Sequence, residues 1–175
     1  MPFTAKSGKF NASINAVEFG TGDKAVKIGG ENVFPLYSFD AAIENAPKVG
    51  IEITDFGMEH EPECIKKYYE GCATLADMAR KAASMEGVDF LSFRMEGGDP
   101  NGVNKSTEEL IGELKEIADA VDLPLVVCGC KNVEKDAELF SKAAEALNGK
   151  NAVILSAKEE NYKTVGAAAG LAYKQ

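Results

Sequence analysis

The chain holds a single histidine, His60, set among acids in "MEHEPEC", so no second imidazole is available for a metal site. Its four cysteines are Cys64, Cys72, Cys128 and Cys130, separated by seven residues in one pair and by one in the other. Zinc pairs use two to four intervening residues, and cluster-binding runs carry more cysteines still. The thiols are therefore read as reduced residues in or near a packed core, not as the disulfide framework of a secreted domain. No apolar run approaches the length of a bilayer span. The N-terminal "MPFTAKSGKFN" lacks the apolar core of a secretory signal. No membrane association and a cytoplasmic location are expected. Cationic excess is missing too: the formal net charge is −9. That excludes nucleic acid, whose binding needs Lys and Arg against phosphates, and it disfavours an anionic lipid surface. No strand leads into G-x-G-x-x-G or G-x-x-x-x-G-K-[ST], so neither dinucleotide nor nucleoside triphosphate binding is signalled.

What the chain does have is alternation. With 175 residues, 45% apolar and 27% charged, it can form one domain with a sizeable core. "SINAVEFG" and "KAVKIGGEN", joined by "TGD", predict a β-hairpin. "VGIEITDFG" predicts a strand. An amphipathic stretch over 61–85 follows, with Ile65, Tyr68, Tyr69, Leu75, Met78 and Ala79 as candidate core residues and Gly71 as a break between two helices. "VDFLSFRMEGG" predicts a strand closing in a glycine-rich loop. "STEELIGELKEIADAV" predicts a helix capped by Ser106, with Glu109 completing a capping box and Leu110, Leu114, Ile117 and Val121 as its apolar stripe. "LPLVVCGC" is a strand, and "EKDAELFSKAAEALNG" a helix closed by Asn148-Gly149. "AVILSA" is a strand, and "NYKTVGAAAGLAYK" a helix rich in small residues. Residues 1–48 form a hairpin and linker; residues 49–175 form four βα units.

Strands that are nearly continuous apolar runs, alternating with helices, predict an α/β protein with a parallel sheet. A doubly wound sheet could be complete at this length. A (β/α)8 barrel usually needs about 250 residues, so this chain would supply half of one. In either case ligands meet the C-terminal ends of the strands. The loops there carry Asp55, Glu96, Asp99, Asn104, Asn132, Glu134, Asp136 and Asn161. Each has a purely structural alternative: Asp136 as a helix cap, Asp99-Pro100-Asn101-Gly102 as a turn, Asn161 as a cap on the last helix. Cys128 and Cys130, two apart on a strand, are expected to point to the same side.

The strings "GGENVFPLYSFD", "VGIEITD", "FRMEGGDPNGVNKS", "LPLVVCGCKNVEKDAEL" and "NYKTVGAAA" resemble, in order and spacing, one family. It is the small subunit of the corrinoid iron–sulfur protein, the delta component of the acetyl-CoA decarbonylase/synthase complex. The resemblance runs from about Asn15 to Tyr173, and the "GGEN" and "NVEKD" blocks are its most specific parts. One departure is Lys131-Asn132-Val133, where the family pattern reads Gly-Asn-Pro. The resemblance implies a (β/α)8 barrel of TIM type, of which about four units are present. It implies a non-catalytic subunit of a heterodimeric methyl carrier in one-carbon metabolism. Its barrel mouth would cap a cobalamin held mostly by the large subunit, and the iron–sulfur cluster would lie in that partner only. The methyl group would arrive from a methyltetrahydrofolate or tetrahydropterin methyltransferase and leave for acetyl-CoA synthase/CO dehydrogenase, in reductive acetyl-CoA synthesis or its reversal. Asp99, Asn132 and Asn161 are the expected cobalamin-facing residues; no residue need be acid, base or nucleophile, because the cofactor carries the reaction. The rivals are a pterin-binding methyltransferase of related barrel fold, with Asp99 and Asn132 on the pterin ring, and a βα domain that only scaffolds a complex.

Overall fold

The computed structural model describes residues 11–32 and 43–175. Most of the "GGENVFPLYSFD" string lies outside the described residues. The hairpin forms as expected: β1 (Val17–Phe19) pairs antiparallel with β2 (Val26–Ile28), Val17 opposite Ile28, around a single 3-10 turn at Gly22–Lys24.

Four strands build the main sheet: β3 (Gly50–Thr54), β4 (Phe90–Arg94), β5 (Leu125–Cys128) and β6 (Val153–Leu155). All are parallel, and their spatial order follows the chain, β3-β4-β5-β6. After β3 come α1 (Glu63–Tyr68) and α2 (Leu75–Ala83), parted around Gly71, whose φ of 88° only glycine adopts freely. After β4 comes α3 (Thr107–Ala120), after β5 comes α4 (Val133–Ala146), and after β6 comes α5 (Tyr162–Val165), continued by a π-helical stretch over Gly166–Ala172.

Period-two alternation sorts each strand between two faces. Ile53, Leu91, Phe93, Leu125 and Val127 pack under the helices with Met78, Ala79, Leu110, Leu114, Ile117 and Leu139. The expected stripe of α3 is buried along its whole length, and Leu114 is fully enclosed. Each such side chain contributes about 1.5–3 kcal/mol by leaving water. On the opposite face, Phe90, Val126, Cys128 and Val153 meet Phe19 and Val26 of the hairpin. Helices therefore line one face and the hairpin lies across the other. A doubly wound sheet would reverse its strand order and carry helices on both faces; among the described residues this sheet does neither.

The hairpin grips the N-terminal ends of the strands. The Gly20 amide donates to the Asn151 carbonyl at 2.7 Å, and Asn151 Nδ2 returns a bond to the Gly20 carbonyl at 3.1 Å. The Phe19 and Phe90 rings meet edge to face at 5.6 Å. Its reach ends at Cys128, the last residue of β5, and among the described residues the loops beyond the C-terminal strand ends are clear of it.

The caps differ in part from expectation. Ser106 Oγ accepts from the Glu109 amide at 3.1 Å, but the return bond is not formed. The complete capping box belongs to α2, where Thr74 and Asp77 bond reciprocally. A short aspartate at that position reaches back as well as a glutamate would, and the pattern rule looks only for the longer acid.

Candidate functional site

Four loops follow the strands at the clear end of the sheet. The first two are joined by a buried ion cluster that sequence reasoning missed. Asp55, at the end of β3, is buried, and its carboxylate accepts the Gly97 amide at 3.0 and 3.1 Å. Lys105 Nζ reaches the same carboxylate at 3.1 Å, the Asp55 carbonyl at 3.0 Å and Glu113 Oε1 at 3.0 Å. Burial works against the Lys105 charge, but the bonds to Glu113 and Asp55 outweigh it and hold its pKa above the ordinary value. Burial pushes the Glu113 carboxyl up, only partly offset by Lys105. Glu113 Oε2 is enclosed without a partner among the described residues. "VNKS" carries no sign of this, because the lysine's partners stand 50 residues earlier and eight later.

The β4 loop forms a 3-10 turn at Glu96–Gly98 and then the turn anticipated around Asp99. The Asp99 carbonyl accepts the amides of Gly102 at 2.9 Å and Asn104 at 3.2 Å, and its Oδ1 accepts from Asn101 at 2.9 Å. The side chains of Glu96, Asn104 and Glu134 are exposed and, among the described residues, add no bond to this network, which Glu96 and Asn104 join through their backbone alone.

The β5 loop corrects the expectation for the cysteines. β5 ends at Cys128, so alternation stops there. Cys128 faces the hairpin side and Cys130 the helix side. Cys128 Sγ lies 3.4 Å from Ser92 Oγ. Burial pushes the Cys130 thiol up to about 11, with the Asn132 amide opposing and the carboxylates of Asp136 and Asp99 reinforcing the rise. Asp136 is not the helix cap: it is buried in the first turn of α4, and its Oδ1 accepts the Cys130 amide at 2.7 Å. Gly129 lies against that carboxylate, where a Cβ would collide with it. The cap is Asn132, whose Oδ1 accepts from the Lys135 amide at 3.0 Å. Its Nδ2 has no partner among the described residues, and the side chain is half-buried.

The β6 loop is tied to the β5 loop through Asn161. This residue is buried, its Oδ1 accepting from the Lys158 amide at 2.7 Å and its Nδ2 donating to the Val133 carbonyl at 3.2 Å. Lys158 Nζ adds a bond to the Lys131 carbonyl at 3.0 Å. Asn132 and Asn161 thus flank one segment, while Asp99 stands on the neighbouring β4 loop. On the open sheet face Arg94 grips Glu52 with two bonds, at 2.9 and 2.8 Å, and that pairing raises its pKa despite partial burial. The signal for it was one charge in each of two otherwise apolar strand runs. Among the described residues no group of three or more His, Cys, Asp or Glu side chains is placed to hold a metal ion, and no helix is long and apolar enough to cross a membrane.

Lys131 has φ 73°, the left-handed region that glycine favours, and Val133 is the first helical residue, where proline is favoured. The loop thus takes a conformation that Gly-Asn-Pro would suit, with a less suited residue at each end. Lys131→Gly should stabilise the protein by about 0.5–1 kcal/mol in urea titrations. A loss of stability would show that the Lys131 side chain holds the loop.

The family model described as "CO dehydrogenase/acetyl-CoA synthase delta subunit" matches residues 16–175. The acetyl-CoA decarbonylase/synthase complex subunit delta of Methanothermobacter thermautotrophicus is 31% identical over 163 residues, covering 91% of this chain and 41% of that relative. The subunit of the same name in Methanocaldococcus jannaschii is 30% identical over 165 residues, covering 90% of this chain and 40% of its own length. In Archaeoglobus fulgidus the figures are 30% over 142 residues, with 79% and 30% covered. The chain thus spans about two fifths or less of the length of these relatives.

Proposed function

We propose that this chain, which belongs to the CO dehydrogenase/acetyl-CoA synthase delta subunit family, is part of a methyl-carrying corrinoid protein in an acetyl-CoA decarbonylase/synthase complex. Its strand-end loops cover a cobalamin held mainly by a larger partner subunit, which also holds the iron–sulfur cluster. The other partners are the methyltransferase that loads the carrier and the acetyl-CoA synthase/CO dehydrogenase that unloads it. The observation that carries the reading is the family match across residues 16–175.

The four βα units are read as half of a (β/α)8 barrel wall. Sequential parallel order and helices on one face support this. So do apolar grooves beside both outer strands, where further units of a closed barrel would lie. One, of about 430 Å³, runs along β3 with Ile51, Tyr68 and Met78; the other, of about 490 Å³, runs along β6 with Tyr162, Val165 and Ala169.

The donor set fits a corrin rim of neutral amides in part. Asn132 offers an unused Nδ2 to a rim carbonyl, and Asp99 keeps Oδ2 for a rim N–H. Asn161 has both ends of its amide committed inside the chain, so its part is to hold the segment that presents Asn132. Cys128, at the end of β5, and Cys130, just beyond it, face opposite sides of the sheet and do not converge. A bound corrinoid would supply the nucleophile and carry the methyl group; the chain's own loops orient the rim and exclude water.

Asn132 supplies the test. Asn132→Asp keeps the cap oxygen and removes the amide donor, so stability should hold, since Asp and Asn cap equally well. Cobalt retained by the reconstituted heterodimer should fall about two- to tenfold, the worth of one neutral hydrogen bond. Asn132→Ala should add a loss of about 0.5–2 kcal/mol in stability. Full cobalt retention in both variants would remove Asn132 from the site. Saturable methyltetrahydrofolate binding by this chain alone would favour the pterin reading instead.

A further inference from the structure

The β4 loop is closed at its neck. The Lys105 amide donates to the Gly97 carbonyl at 2.8 Å, so residues 97–105 form a nearly closed ring of chain. Within the ring, the hydrogen bonds of residues 99–104 converge on Asp99 itself. The tip is exposed, Val103 to 64%. Among the described residues, the polar side-chain contacts that fasten the ring to the body all lie at the neck. Asp55 holds the Gly97 amide, and the Lys105 ammonium donates to the Asp55 carbonyl and to Glu113 and pairs with the Asp55 carboxylate at 3.1 Å. Gly97 sits so close to the Asp55 carboxylate that any Cβ would displace it.

We propose that residues 97–105 are a strap fastened over the end of β3 by one ion latch, with Lys105 as the bolt and Asp55 as its seat. The strap carries Asp99, so the latch is the positioning device for the β4 side of the mouth. The two acids in the latch are unequal. Asp55 receives both the ammonium and a backbone amide, whereas Glu113 receives the ammonium alone and leaves Oε2 enclosed and unpartnered. The latch has one more negative charge than its cation balances. Removing the Glu113 charge should leave the strap closed or close it further; removing the Lys105 charge should release it, with Asp55 left buried beside no cation.

Backbone amide exchange followed residue by residue reads this without any cofactor, so its result is independent of the cobalamin reading. In Lys105→Met, protection at the Gly97 and Lys105 amides should drop tenfold or more, while Leu91 and Leu114 in the core keep theirs. In Glu113→Gln, protection at Gly97 and Lys105 should stay the same or rise. If Lys105→Met loses core protection as well, the paired variant Lys105→Met with Asp55→Asn removes the buried lone charge and should still show a released strap. Undiminished protection at Gly97 in the folded lysine variant would overturn the proposal. So would a loss in Glu113→Gln as large as that in Lys105→Met.

Discussion

Replacing Asp136 with alanine is expected to destabilise the protein by about 2–3 kcal/mol, the upper part of the range for orphaning a buried donor. For a chain of this size that lowers Tm by roughly 4–12 °C. The Cys130 amide, buried just past the end of β5 and outside the sheet ladder, bonds among the described residues only to Asp136 Oδ1, at 2.7 Å. Alanine removes a charged acceptor and leaves that N–H in the core. Asp136→Asn keeps an oxygen in place and should lose less than half as much. Gly129→Ala damages the same bond from the other side, because its Cβ would push the carboxylate away. The two lesions should therefore not add: in the Asp136→Ala background the obstruction is gone, and Gly129→Ala should cost much less than it does alone. Denaturant titrations of the two single variants and the double variant check this. Additive losses would mean that Gly129 and Asp136 matter for separate reasons.

The sequence was legible wherever a signal is local and repeated. The hairpin, the four βα units, the break at Gly71 and the buried stripe of α3 each follow from a period or a turn pattern confined to a few residues. Tyr69, Met78 and Ala79 are core residues as expected, whereas Ile65 is exposed, since α1 is too short to present a full stripe. The choice between the two architectures was not legible, because strand order is set by which helix faces meet and not by any one unit. The mouth was readable as a set of loops but not as a network. Asp99 forms the turn that its own neighbours dictate. Asp55, Lys105 and Asn161 each have a partner on another loop, at separations of 28–50 residues. The sequence allows Asp136 as the cap of α4, but the cap is Asn132: β5 ends at Cys128, two residues before the expected strand end, and α4 starts at Val133, which puts Asp136 inside its first turn.

The Cys130 thiol should make stability depend on alkaline pH. It is 4% exposed, and burial, reinforced by Asp136 and Asp99, raises its pKa from 9.0 to about 11. A raised value means that the folded chain holds this proton more tightly than the unfolded chain. The contribution is complete below pH 9 and is lost as pH rises through about 11. Between pH 8 and 11 it amounts to about 2 kcal/mol. Tyr69 and Lys105, whose pKa values are also raised, are common to wild type and variant. The quantity to measure is therefore the stability difference between wild type and Cys130→Ala, by urea titration at several pH values. At pH 8 the variant is less stable, since it leaves a small cavity. The gap should narrow by about 2 kcal/mol on reaching pH 11, as the wild type loses what the variant never had. Parallel curves would show that the thiol titrates alike in both states. Reactivity gives the same answer by another route. At pH 8 the raised pKa leaves Cys130 with roughly a hundredth of an ordinary thiol's thiolate, and its burial denies reagents access. Cys64, which is exposed, should alkylate readily in the native protein while Cys130 stays unmodified until the chain unfolds. A thiol held buried and protonated in this way packs the segment just past the end of β5.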